Sequence, residues 1–322
     1  MRTMPRTAHW RLLALLALLA GACQGNRSPA TPGEGAALSV VATTNIVADV
    51  VGRVGGHQIR LTALLGVGVD PHTYQPAPAD AAAVHDAQVV FANGAGLEEF
   101  LEPLLKNAGG QAVVVHLSDG LMLRQMHEED EHDAHDEAEG DEEGHQHEGG
   151  DPHVWFDVQN VIVWVQAVQG ALSQLDPAYS AAYQANAQAY IAELEALDAW
   201  IVEQVAQVPP GRRTLVTNHP AFGYFADRYG FRQVGAVYPI NPGAEPSAQD
   251  IARLQGEIRQ YGVPAIFSEN TVNPKMAQQV AKDTGVRLAP LYSGSLGGPD
   301  SGAATYVEMM RRNVQAIVEA LR

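Results

Sequence analysis

Cysteine is nearly missing from this chain of 322 residues, which has one, Cys23. A single thiol allows no intrachain disulfide and no thiolate metal cluster, so any metal must be held through nitrogen and oxygen. Long apolar runs are scarce too. The one that stands out, Leu12 to Ala20, is too short to cross a bilayer as a mature helix. Basic residues are outnumbered, with 20 Lys and Arg against 37 Asp and Glu and a formal net charge of -17. No basic stripe is present, which argues against nucleic acid as a partner. Most of the acidic excess lies between Glu128 and Glu148, so the rest of the chain is only mildly acidic. Two catalytic signatures are also absent, the HExxH helix of zinc proteases and the Gly-x-Ser-x-Gly elbow of hydrolases. No residue presents itself as a general base, and the sequence does not read as an enzyme.

What is present begins with a sorting signal. Arg2, Arg6 and Arg11 flank or precede the apolar run, which ends in Ala20-Gly21-Ala22-Cys23. A basic start, a short apolar stretch and small residues before a cysteine read as a lipoprotein signal peptide over 1–23, with Cys23 acylated after cleavage. Residues 24–37 are rich in Gly, Ser, Pro and Thr and read as a flexible tether. These features place the folded body outside the cytoplasm, lipid-anchored to the membrane.

The rest of the chain is long enough for two lobes, and 46% of the sequence is hydrophobic. Short β-rich runs alternate with helical patterns. Strands are expected at 38–43, 59–64, 89–93 and 113–116, and again at 214–217, 265–268 and 287–292, with helices near 46–54 and 97–107, from about 220, from 274 and near 304. This alternation predicts α/β lobes with mostly parallel sheets. Between the two series, Tyr183, Ala187, Tyr190, Leu194, Leu197, Ile201, Val205 and Val208 recur at helical spacing. Asp176-Pro177 opens that stretch and Pro209-Pro210-Gly211 closes it. A helix over 176–208 would run about 45 Å and back both lobes. The expected organisation is an N-terminal lobe over 38–175, the linking helix and a C-terminal lobe over 209–322.

Three histidines stand in separate ordered-looking segments: His72 in Asp70-Pro71-His72-Thr73-Tyr74, His153 in Asp151-Pro152-His153-Val154-Trp155 and His219 in Asn218-His219-Pro220-Ala221-Phe222. Neutral imidazole is the commonest protein ligand for zinc and similar borderline metals. In parallel α/β sheets, ligands sit in the loops beyond the carboxyl ends of strands. His72, His219 and Glu269 each follow an expected strand. A three-histidine centre also describes a zinc enzyme, the reading that the missing signatures oppose.

The lipobox, Asp-Pro-His-Thr-Tyr-Gln-Pro at 70–76, Asp-Pro-His-Val-Trp-Phe-Asp at 151–157, Asn-His-Pro-Ala-Phe-Gly-Tyr-Phe at 218–225 and the tail Thr-Tyr-Val-Glu-Met-Met at 305–310 resemble, in order, the zinc and manganese solute-binding lipoproteins of bacterial ABC importers. The resemblance implies two α/β lobes joined by one long rigid backbone helix, with the metal site in the inter-lobe cleft. It also implies a monomer that delivers its ion to a cognate ABC permease and that permease's ATPase. Carried over by position, His72 and His153 would be the ligands from the first lobe and His219 the ligand from the second. Imidazole at position 219 favours Zn2+ as the transported ion over Mn2+, which prefers harder oxygen ligands. A manganese importer subunit and an adhesin-type surface lipoprotein are the alternatives the family leaves open. The resemblance also shows a departure: where many members place an aspartate ligand, this chain has Gly294, which leaves water, Glu269 or Asp300 for the fourth position, water being favoured. Glu269 would otherwise support a ligand from behind.

Between the first two histidine segments lies a His- and acid-rich stretch, 127–150, with His127, His132, His135, His145 and His147. It has too few apolar residues to offset ordering and is expected to be disordered without metal. Its histidines read as weak auxiliary zinc sites beside the main one. Deleting 126–149 is expected to remove weak additional zinc equivalents in a titration while one tight equivalent remains; loss of the tight equivalent would refute an auxiliary role.

Overall fold

The computed structural model describes residues 37–125, 150–239 and 246–322. Cys23, the signal segment and the five histidines of the acidic stretch lie outside the described residues.

The chain from Leu38 to Arg322 forms one compact unit. Its first half runs β1 (Leu38–Ala42), α1 (Asn45–Gly55), β2 (Ile59–Ala63), α2 (Pro78–His85), β3 (Val89–Ala92), α3 (Leu101–Ala108) and β4 (Val113–His116). The four strands are parallel and ordered β2-β1-β3-β4. After two helices joined by a short turn, α4 (Val158–Leu175) and α5 (Ser180–Val205), the pattern repeats. It comprises β5 (Thr214–Thr217), α6 (Gly223–Tyr229), β6 (Arg232–Ala236), α7 (Ala248–Tyr261), β7 (Ala265–Glu269), α8 (Lys275–Thr284) and β8 (Arg287–Leu291). That sheet is also parallel, ordered β6-β5-β7-β8. Helix α9 (Tyr306–Leu321) then returns to pack on α5.

The sequence explains these elements locally. Central strands of parallel sheets are covered on both faces and read as unbroken apolar runs. Val89-Val90-Phe91-Ala92 is buried at every position, whereas β2 and β6 at the sheet edges are not. Helix starts carry their caps: Thr44 accepts the Val47 amide at α1, and Ser247/Asp250 and Thr305/Glu308 form reciprocal capping boxes at α7 and α9.

Both sheets have the same order, so in each the chain leaves β1 or β5 in one direction and later returns on the other side. The crevice at such a reversal, beyond the carboxyl ends of the strands, is where ligands bind in this architecture. The loops following β2, β5, β7 and β8 carry His72, His219, the segment after Glu269, and Ser293 to Ser295.

Helix α5 spans 26 residues, about 39 Å at the usual rise. The expected stretch of 176–208 is trimmed at both ends. Pro177–Tyr179 forms a tight 3-10 turn after a non-helical Asp176, and the helix stops at Val205. The expected seam is present: Tyr183, Ala187, Tyr190, Leu194, Leu197, Ile201, Val205 and Val208 are all buried. Helix α4, which the sequence reading did not separate from the first lobe, packs beside it with Trp164, Val165, Val168 and Leu172 fully buried. Helices α2 and α7 and strand β6 were likewise not anticipated. One apolar core continues from Leu38 through α4 and α5 to Leu321, so the two sheets share their backing.

Leu197→Ala is expected to cost about 2–5 kcal/mol in denaturant unfolding, while Val202→Ala, on the exposed side of α5, changes stability by less than about 0.5 kcal/mol. Equal small effects would mean that α5 is not a core element.

Candidate metal centre

The two Asp-Pro-His segments fold alike, and their chemistry explains why. In each, the aspartate carboxylate accepts the amide of the histidine two residues on: His72 N–H to Asp70 at 3.1 Å and His153 N–H to Asp151 at 3.0 Å. The intervening proline has no amide to compete, so the turn closes on the histidine. Asp151 goes further, its Oδ1 also lying 2.8 Å from His153 Nδ1.

His219 is held differently. The Thr217 hydroxyl donates to its carbonyl at 2.6 Å, and Glu269, at the end of β7, accepts its amide at 2.9 Å. The second oxygen of Glu269 lies 2.7 Å from His219 Nδ1, a close contact outside hydrogen-bond geometry. In both His153 and His219 a carboxylate therefore faces Nδ1 and leaves Nε2 for the cleft. Such partners fix ring orientation and raise the basicity of a ligating imidazole.

The three Nε2 atoms meet. His153 Nε2 is 3.1 Å from His72 Nε2 and 3.1 Å from His219 Nε2. Among the described residues these histidines form the one group of three or more His, Cys, Asp or Glu that could share an ion, with ligand atoms within 4.8 Å of one another. Nitrogens bonded to a single zinc at about 2.0–2.1 Å in tetrahedral geometry would stand about 3.3–3.4 Å apart. The two pairs that share His153 therefore stand within tenths of an ångström of that spacing. His153 and His219 are buried and His72 is half-buried, so the cluster is reached from the His72 side.

Burial opposes charge on His219, but the Glu269 carboxylate outweighs it and raises the imidazole pKa above its ordinary value. Burial likewise pushes the Glu269 carboxyl up, and its contacts to His219 overcome this and hold it below the usual carboxylate range. Burial raises the Asp70 carboxyl, partly offset by the His72 amide and the neighbouring imidazoles.

Glu269 thus faces the Nδ1 side of His219 in this arrangement. Asp300 is exposed in the loop before α9 and is not in the cluster. A β-carbon at Gly294 would lie 2.9 Å from Pro71 Cδ and 3.3 Å from Thr271 Oγ1, so the loop after β8 packs backbone-first against the His72 segment.

Several supporting residues escaped the sequence reading. Phe156 stacks on Phe222 with centroids 4.2 Å apart and planes 29° apart, joining the His153 and His219 segments. The Tyr224 hydroxyl donates to the Asp151 carbonyl at 2.9 Å and accepts the Arg124 amide at 2.9 Å, and Arg124 pairs with Asp227 at 2.9 Å. Buried Glu98 accepts from Thr43 and from the Asn93 and Gly94 amides, and Asn93 donates to the Pro152 carbonyl next to His153. The aromatic neighbours in the histidine motifs were the only available sequence signal for any of these.

Residues 40–320 match the model of the ZnuA family, described as zinc-uptake complex component A, periplasmic. The chain belongs to the ZnuA family. It is 34% identical over 311 residues to the manganese-binding lipoprotein MntA of Halalkalibacterium halodurans, covering 96% of this chain and 97% of that protein. It is 29% identical to the iron-binding protein YfeA of Yersinia pestis, covering 97% and 94%. The solved structure of the periplasmic zinc-binding protein TroA from Treponema pallidum superposes with a TM-score of 0.77 at 31% identity, covering 88% of this chain and 98% of that one. The two-lobe α/β fold with its long helix is thus the fold of this ZnuA-family chain. Members of the family are metal-binding, substrate-binding components of uptake systems and not enzymes.

Glu269→Gln keeps the shape but removes the charge facing His219. Metal affinity is expected to fall about 10- to 100-fold by calorimetric titration; unchanged affinity would show that the carboxylate does not support the ligand.

Proposed function

We propose that this protein captures Zn2+ outside the cytoplasm through His72, His153 and His219 and delivers it to the permease of an ABC importer, driven by that importer's ATPase. The observation that carries the reading is the donor set: three imidazoles converge, and the nearest buried carboxylates, Asp151 and Glu269, face the far nitrogens of those rings. Nitrogen-rich, low-coordinate sites suit zinc, whereas manganese favours oxygen-rich, higher-coordinate ones. Relatives named for manganese, iron and zinc are all similar to this chain, so the metal is argued from the ligands. A water completes the shell where Gly294 offers no side chain, with Glu269 supporting His219 from behind.

In this reading, lobes over 38–175 and 209–322 are joined by the helical segment 176–208. Residues 24–37 tether a monomeric body to a lipid on Cys23. The histidines of 127–150 act as weak auxiliary zinc sites. No described helix is long and apolar enough to cross a membrane, and attachment is assigned to the lipid.

The test is a competition titration of zinc against manganese into the mature chain lacking 126–149, alongside His219→Ala. One tight zinc equivalent that excess manganese does not displace, weakened at least a hundredfold in the variant, is expected. Preferential manganese retention would convert the assignment to a manganese importer subunit, and absence of tight binding to either ion would remove the site.

A further inference from the structure

We propose that Ser295, in the loop after β8, is a positioning residue for His72, acting with Asn45 as a latch that sets how fast the metal leaves. The inference rests on His72 being a ligand, as proposed above.

His72 is the least buried of the three histidines and sits on the long loop between β2 and α2, so core packing alone does not fix it. Two side chains outside that loop reach its backbone. The Ser295 hydroxyl accepts the Gly68 amide at 2.8 Å, and the Asn45 side-chain amide donates to the Gly66 carbonyl at 3.3 Å. These two residues also grip each other. Asn45 Nδ2 donates to Ser295 Oγ at 2.8 Å, and Asn45 Oδ1 accepts the Leu296 amide at 3.0 Å. Ser295 Oγ donates in turn to the Leu296 carbonyl at 2.9 Å.

A hydroxyl has one proton to donate and two lone pairs. Ser295 uses all of them while almost wholly buried. Its own carbonyl accepts from Asn270, the residue after Glu269, at 3.0 Å, and Asn270 also accepts the Ser293 amide at 2.9 Å. The loop that holds His72 is therefore anchored to the strand end that holds His219's partner. Three residues beyond Gly68, Pro71 rests on Gly294, where a β-carbon would come within 2.9 Å. The second lobe thus touches the His72 segment at Gly68 and at Pro71, immediately before the ligand. Loosening this contact frees one ligand of three without unpacking α5 or the buried His153 and His219.

The test uses Ser295→Ala, with Asn45→Ala as the second variant, in the full mature chain. In the metal-free protein, hydrogen exchange across residues 64–72 is expected to rise about tenfold in either variant, with α5 unchanged and the double variant little worse than either single one. With zinc loaded and a chelator added, release is expected to be about tenfold faster in Ser295→Ala. In a His72→Ala background the same substitution should leave release unchanged, because a latch acting through His72 has nothing left to hold. Unchanged exchange at 64–72, or equal acceleration with and without His72, would overturn the proposal. Failure of the unsubstituted protein to bind zinc would count against the zinc reading alone, since the exchange measurement needs no metal.

Discussion

The convergence of three imidazole nitrogens, two pairs of them 3.1 Å apart, is the constraint around which the rest of this structure is arranged. Lone pairs that face one another gain little from each other and much from a cation placed between them. Holding them there costs side-chain entropy and the desolvation of three polar rings. The protein offsets that cost with Asp151 behind the His153 ring and Glu269 behind the His219 ring, while Asp70 holds the His72 backbone amide. Asp151 and Glu269 supply negative charge behind two of the rings without occupying the cleft.

Those partners work because the segments they hold are fixed by the fold. The two sheets with equivalent strand order aim their carboxyl-end loops into one crevice, while α4, α5 and α9 share a single core behind both. The Phe156–Phe222 stack and the Tyr224 hydroxyl tie the His153 and His219 segments into one buried unit. His72 stands apart from it, on a longer and more open loop gripped from the second lobe. Two buried imidazoles on one side and a more exposed one on the other leave the cluster open on the His72 flank.

Much of this was legible in the sequence. Alternating strand and helix patterns gave all the strands except β6, whose Arg-Gln-Val-Gly-Ala run lies at a sheet edge and lacks a buried pattern. The seam of α5 was readable because a long backing helix buries one face throughout; α4 carries a comparable stripe in Val158, Val161, Trp164, Val165, Val168 and Leu172, which was passed over. The Asp-Pro-His repeats made legible the turns that present His72 and His153. Glu269 was visible as a strand-end carboxylate, but its direction was not, since whether it faces Nδ1 or the cleft depends on where β5 lies beside β7. Glu98, Asn93, Asn45 and Ser295 act across 55 to 251 positions of chain, and no local pattern encodes such pairings.

The most direct test is X-ray absorption spectroscopy at the zinc edge of the loop-deleted chain loaded with one equivalent. A four-coordinate centre with three imidazoles at about 2.0–2.1 Å and one further oxygen is the predicted result. Fewer than three imidazoles, or a six-coordinate shell rich in carboxylate oxygen, would contradict the account.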